Sequence, residues 1–182
     1  MSPVSARAVS TCKPKRAGPG AARQHHCKND GVKTVSHGTL VMNAGAELLL
    51  CHATGAKHWD IPKGMAMAGE SSAAAAVREA DEECGVRLDP ERLVALGLFA
   101  YRPDKDLSLH AALIERIDPA RCVCSTFFVD RWGRRRPEMD AFRWAAFAEV
   151  PTLCARSMAL VLTQKAPLAG VLVRLRGVRK VE

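Results

Sequence analysis

The sequence predicts an α/β fold, a three-layer α/β/α sandwich built on a mixed sheet. Three observations predict it. Short apolar segments separated by turn residues recur between residues 35 and 114. An alanine-rich stretch from Ser71 to Cys84 has helix-forming composition and a serine to cap it. A second apolar stretch, from Ala148 to about Gln164, has helical length and carries Pro151 near its first turn. At 182 residues the chain can bury a core without staples.

The elements follow in order. Residues 35–42, VSHGTLVM, read as a strand, 43–46 (NAGA) as a turn, and 47–52 as a second strand. A loop, 53–58, leads to Trp59-Asp60-Ile61-Pro62-Lys63-Gly64, and the alanine-rich helix comes next. Residues 93–101 and 107–114 read as strands joined by a turn over 102–106. The stretch 118–140 is irregular, with a basic run from Arg131 to Arg136 around Trp132, and 141–145 is a further strand. After the helix over 148–164, the pattern VLVRLRGV is open between strand and helix. Three segments result: a basic, disordered leader over 1–33, a folded domain over 34–165, and a basic extension over 166–182.

Residues 64–86, GMAMAGESSAAAAVREADEECGV, carry the chemistry. Glu79, Glu82 and Glu83 stand at i, i+3 and i+4, so on a helix they share one side. At roughly 100° per residue they span an arc of roughly 100°, and Ala73, Ala76, Val77, Ala80 and Cys84 form an apolar stripe beside it. Asp81 points away from both. A solvated acidic face is the bland reading, since like charges cost only about 0.2–0.5 kcal/mol per pair on an open helix. A hard divalent cation, which takes oxygen ligands and shares them with phosphates, is the sharper one.

The spacing Gly64, Glu70, Arg78, Glu79, Glu82, Glu83, Gly85 resembles the Nudix box, the signature of hydrolases acting on a nucleoside diphosphate linked to another moiety. One position departs: Ala80 stands where the family usually has a large aliphatic residue. The resemblance implies a Nudix-like sandwich and an Mg²⁺- or Mn²⁺-dependent pyrophosphohydrolase. In it Glu79, Glu82 and Glu83, with a main-chain carbonyl at Lys63 or Gly64, hold metal. Glu79 is the general base, and Arg78 with Glu70 orients the loop and the helix. Glu138 lies in a loop that in this family often adds a carboxylate. The segment Trp59–Gly64 resembles that of diadenosine polyphosphate hydrolases. There Trp59 and Lys63 would meet substrate, and Tyr101 would stack on a base. Tyr101 reads equally as an ordinary strand aromatic; Lys105 and His110 read as residues that could meet phosphates or, more simply, as solvated surface residues. Dinucleoside polyphosphates are the first substrate expectation. Damaged nucleoside triphosphates or a 5′-pyrophosphate on RNA are the second, and a non-catalytic nucleotide- or nucleic-acid-binding module is a third of another class.

The net charge of +8 is unevenly placed. Residues 1–33 hold seven Lys/Arg against one Asp and residues 165–182 five against one Glu, so the middle of the chain is slightly acidic. The basic ends leave room for weak nucleic-acid contact. Seven irregularly spaced cysteines without a secretory signal read as reduced thiols and predict a cytoplasmic protein. Neither Cys12 with His25-His26-Cys27 nor Cys122-x-Cys124 has convincing zinc spacing. No apolar run approaches membrane-spanning length.

Overall fold

A computed structural model describes residues 33–178. The expectations for the leader, including Cys12, His25, His26 and Cys27, lie outside the described residues, as do those for 179–182.

Strand β1 (Thr34–Asn43) is central because its second half is apolar on both faces and buried throughout. It turns through Asn43–Ala46 into β2 (Glu47–Ala53). There the Asn43 Oδ1 accepts from the Gly45 N–H at 2.8 Å, and Ala46 takes φ 59. The two strands touch only at Met42↔Leu48 and then part. Strand β2 pairs with β9 (Met139–Ala146) along its length and, at its end, with β3 (Trp59–Asp60). The first half of β1 pairs with β4 (Lys63–Met65). Its whole length runs parallel to β6 (Lys105–Ile114), which pairs antiparallel with β5 (Val94–Arg102). The parallel β1–β6 pair among antiparallel ones makes the sheet mixed, as expected.

Period-two alternation sends neighbouring side chains to opposite layers. Leu40, Met42, Leu48 and Leu50 join a core with Val150, Met158, Leu162, Leu168 and Leu172. Val41, Leu49 and Cys51 join a second core with Cys84, Val86, Cys122, Cys124 and Trp144. Helix α1 (Ser72–Cys84) covers the second face, and α2 (Val150–Leu153), α3 (Arg156–Leu160) and α4 (Leu168–Val178) the first. The expected α/β/α sandwich is therefore the observed one. Truncating one of the fully buried leucines, Leu40→Ala for instance, costs about 2–5 kcal/mol.

Four details differ from the sequence reading. The helix expected over 148–164 is broken at Cys154, whose extended backbone bridges Trp59, and it ends in a π-helical turn, Val161–Lys165. The β5–β6 turn is tighter than expected, because β6 starts at Lys105. The irregular stretch holds a two-stranded hairpin, β7 (Phe127–Val129) and β8 (Arg135–Pro137). The open segment after Pro167 is helix α4, whose Leu168, Val171, Leu172 and Leu175 pack into the first core, so the basic stretch expected as an extension contributes to the fold over these residues.

Candidate active site

Two local devices fix helix α1. The Ser71 hydroxyl accepts from the Ala74 N–H at its start, and Gly85 ends it in the left-handed conformation at φ 68, its N–H donating to the carbonyls of Ala80 and Asp81. Ahead of the helix, the loop crosses β1 at Gly38. A Cβ there would lie 3.0 Å from the Lys63 Cβ and 3.1 Å from the Pro62 carbonyl, so the crossing needs glycine. The Thr39 N–H donates to Pro62 O at 3.2 Å and its hydroxyl to Ala76 O at 3.0 Å. The crossing lays Lys63–Met65 over α1.

That overlay corrects the helical wheel. Glu79 and Glu83 are 9% and 5% exposed and sit within the buried arc, flanked by Ala75, Ala76, Ala80 and Cys84, while Ala73 and Val77 are half-buried. The carboxylates are not on a face beside the packing stripe; strand β4 and its loop cover them. Gly64 shows how closely: a Cβ there would collide with the Glu79 carboxylate.

Arg78 gathers the cluster. Its Nε donates to Glu70 Oε1 at 2.9 Å and its Nη2 to Glu70 Oε2 at 3.0 Å. Nη1 reaches Glu79 Oε1 at 2.7 Å and Glu82 Oε2 at 2.8 Å, and Nη2 also reaches the Met65 carbonyl at 2.8 Å. Glu70 closes its own loop by accepting from the Met67 N–H at 2.8 Å. Glu83 accepts from the Lys63 N–H at 2.9 Å. Glu70, Arg78, Glu79, Glu82, Glu83, Lys63 and Gly64 are thus brought together in one patch.

Burial governs the protonation of this patch. Desolvation pushes Glu83 up to about 8 despite the Lys63 N–H bond, and it raises Glu79 despite Arg78. The charge of Glu138 raises Glu79 further. Glu70 lies below the usual carboxylate range because Arg78 bonds it. Burial opposes the Lys63 ammonium, but Asp60 at 2.6 Å and the Glu83 charge leave its pKa above the ordinary lysine value. Arg78 is likewise held above its ordinary value, first by Glu70.

The other expected residues stand at distances from the cluster that differ. Trp59, half-buried on β3, has its ring 5.3 Å from that of His52 and 5.8 Å from the Arg143 guanidinium. Tyr101 is 7% exposed in the first core, with its hydroxyl accepting from Arg102 at 3.3 Å. His110 is not a surface residue: it is buried, its Nδ1 has no partner, and desolvation lowers its pKa. Nearby, the Ser72 hydroxyl bonds both His37 Nδ1 at 2.9 Å and Ser108 Oγ at 2.7 Å, a polar layer under the start of α1. Sequence reasoning missed Asp60, although its spacing three residues before Lys63 was the available signal. A groove of about 480 Å³ between residues 87–94, the end of β6 and α4 contains none of these residues.

A carboxylate cluster gathered by one arginine, on a helix docked to a mixed sheet, offers the oxygen donors that suit a hard cation shared with phosphates. The chain belongs to the Nudix family, whose NUDIX domain matches residues 32–164. It is 36% identical over 122 residues to the 17.7 kDa protein of the e-segB intergenic region of Enterobacteria phage T4, covering 61% of this chain and 81% of that one. The fold is similar to the NUDIX domain of Shewanella oneidensis NrtR in complex with ADP ribose, at TM-score 0.57 and 13% identity over 75% of this chain and 88% of that one. It is also similar to a C. elegans Ap4A hydrolase, at TM-score 0.52 and 22% identity over 74% of this chain and 98% of that one. As a member of that family, the protein is a pyrophosphohydrolase.

Proposed function

We propose that this hydrolase cleaves a pyrophosphate bond in dinucleoside polyphosphates with the help of Mg²⁺ or Mn²⁺. One observation carries the metal: four carboxylates, Glu70, Glu79, Glu82 and Glu83, converge on one loop–helix junction, and burial raises two of them. A second positive charge relieves that repulsion. The donor set fits a hard cation, since it is all oxygen: Glu79, Glu82, Glu83 and the Gly64 carbonyl. Arg78 takes one oxygen each from Glu79 and Glu82, and Lys63 N–H one from Glu83. As placed, no three such side chains among the described residues close a cage by themselves. Waters and substrate oxygens would complete the shell, as is usual for Mg²⁺.

Held by Glu79, Glu82, Glu83 and the Gly64 carbonyl, a divalent cation would supply charge neutralisation at the phosphate oxygens and a more acidic water. The chain's own groups do the rest. Glu79 accepts the proton of the attacking water as its oxygen bonds to phosphorus and the bridging P–O bond breaks. Arg78 holds Glu79 and Glu82 in place, and the Lys63 N–H fixes Glu83. Glu138, whose charge is felt at Glu79, is a further acceptor or ligand.

The dinucleoside polyphosphate assignment is supported by the Trp59–Gly64 segment. Trp59 offers a half-buried ring beside Arg143, suited to a base, and Lys63 supplies a cation beside the carboxylates. Tyr101 contributes through its hydroxyl edge, since its ring is in the core. The test is a substrate panel with Mg²⁺ and products identified by chromatography. Release of a nucleotide from diadenosine polyphosphates at the highest kcat/KM supports the assignment. Preference for nucleoside triphosphates or for 5′-triphosphorylated RNA replaces it.

A further inference from the structure

The hairpin β7–β8 has no place in this chemistry, yet its composition is costly for an exposed element. Phe127, Phe128, Val129 and Trp132 are 45%, 37%, 69% and 66% exposed. Contiguous exposed aromatics of this kind mark interaction surfaces. They share the hairpin with four arginines, Arg131, Arg134, Arg135 and Arg136, against one acid, Asp130. That acid is used in the turn, where its Oδ1 accepts from the N–H groups of Trp132 and Arg134 at 2.9 Å each. The Arg131 guanidinium lies 4.0 Å over the Trp132 ring, and Arg135 lies 4.0 Å over Phe127. Each pair holds a cation beside an exposed ring.

We infer that the hairpin Phe127–Pro137 binds single-stranded nucleic acid, stacking bases on Trp132 and the two phenylalanines and pairing its arginines with the backbone phosphates. Aromatic faces interleaved with cations are the chemistry that recognises unpaired bases on a polyanion. Three-residue strands are about 10 Å long, room for two or three bases at about 3.4 Å each. A duplex keeps its bases stacked and offers these rings nothing.

The hairpin is also anchored to the catalytic helix. The Ser125 N–H and hydroxyl donate to the Glu82 carbonyl at 2.8 and 3.2 Å, and the Val123 N–H to that of Cys84 at 3.3 Å. At the other end, the Glu138 N–H donates to the Thr126 carbonyl at 3.0 Å. The base of the hairpin therefore lies against the helix that carries the carboxylates. Binding at this surface does not depend on which pyrophosphate bond the site cuts.

The experiment uses the full chain and fluorescence anisotropy of a short labelled oligouridylate with a 5′-hydroxyl, which the active site cannot process. Trp132→Ala should weaken binding by on the order of 10-fold or more, and Trp132→Phe should restore most of it. The double variant Arg131→Ala/Arg135→Ala should reduce the salt slope by about 0.7 for each phosphate no longer neutralised. An abasic oligomer of the same length should bind weakly. The basic leader, acting by charge alone, would not distinguish the abasic oligomer. Circular dichroism and melting temperature show that each variant is folded. Four results would each overturn the proposal: equal affinity for duplex or abasic strands, unchanged binding by Trp132→Ala, affinity for vesicles of anionic lipid without affinity for the oligomer, or self-association through the hairpin without strand binding.

Discussion

Gly64→Ala is the smallest change that separates stability from catalysis here. The added Cβ would collide with both oxygens and the Cδ of Glu79. Those atoms are the far end of a flexible side chain, so the clash is relieved by swinging Glu79 away rather than by moving backbone. The swing breaks the 2.7 Å Arg78–Glu79 bond and leaves Glu82, Glu70 and Met65 O still held by Arg78. A lost charge-assisted bond at a partly exposed site is worth about 1 kcal/mol after solvent screening, or roughly 2–4 °C in melting temperature for a domain of this size. The catalytic effect is larger, because Glu79 is displaced by more than an ångström from the attacking water. A misplacement of that size costs on the order of 10²-fold, about 2.7 kcal/mol of barrier. Steady-state kinetics on a diadenosine polyphosphate, beside thermal denaturation, checks both numbers. Adding Gly64→Ala to a Glu79→Gln background should cost little further activity, since the displaced base is already disabled. Wild-type kcat in Gly64→Ala would refute the assignment of Glu79, and a melting point lowered by tens of degrees would refute the packing of Gly64 against that side chain.

Other expectations follow from the same geometry. Glu79→Gln and Glu83→Gln should each lower kcat by on the order of 10²–10⁴, while Asp81→Asn, whose carboxylate has Arg87 at 3.6 Å as its ion-pair partner, should be nearly silent; comparable damage from all three would mean the helix register is wrong. In metal-free protein, Glu83 titrates near 8 against 4.5 when unfolded, so the folded state binds the extra proton between those values and stability falls as pH rises through the window. Melting temperature recorded from about pH 5 to 8 in chelator should therefore decline more steeply in wild type than in Glu83→Gln, and parallel curves would remove the buried-carboxylate argument. His37 and His110, lowered by burial, act with the opposite sign near neutrality, which is why the comparison is between the two proteins. Deleting residues 1–33 should leave turnover of a small nucleotide within about threefold, under 1 kcal/mol of barrier; a collapse in turnover would show that the leader completes the site.

Helix α1 was legible because its signals are local: Ser71 at the cap, Gly85 past the end, and carboxylates at fixed spacing. The central strands were legible because burial on both faces leaves long apolar runs in β1, β2 and β6. What depended on tertiary contact was not. The wheel placed Glu79 and Glu83 beside the packing stripe because nothing local reveals that Lys63–Met65 folds across them. The break at Cys154 comes from a bridge to Trp59, far away in sequence. His110 reads as a surface polar residue in an alternating strand, yet its neighbours in space, His37 and the start of α1, bury it. Strands β7 and β8 are three residues each, one Phe-Phe-Val and mostly exposed, the other Arg-Arg-Pro, and neither carries an apolar alternation to read. Helix α4 was ambiguous because VLVRLRGV suits either period until the sheet face beneath it selects one.

Metal dependence is the central claim, and one titration tests it most directly. Protein stripped with EDTA is assayed on a diadenosine polyphosphate while Mg²⁺ or Mn²⁺ is returned, with circular dichroism followed in parallel. Turnover should vanish on stripping, return with the cation in wild type, and fail to return in Glu79→Gln, while the fold persists throughout because both apolar cores form without the ion. Full turnover in thoroughly chelated buffer would contradict the account.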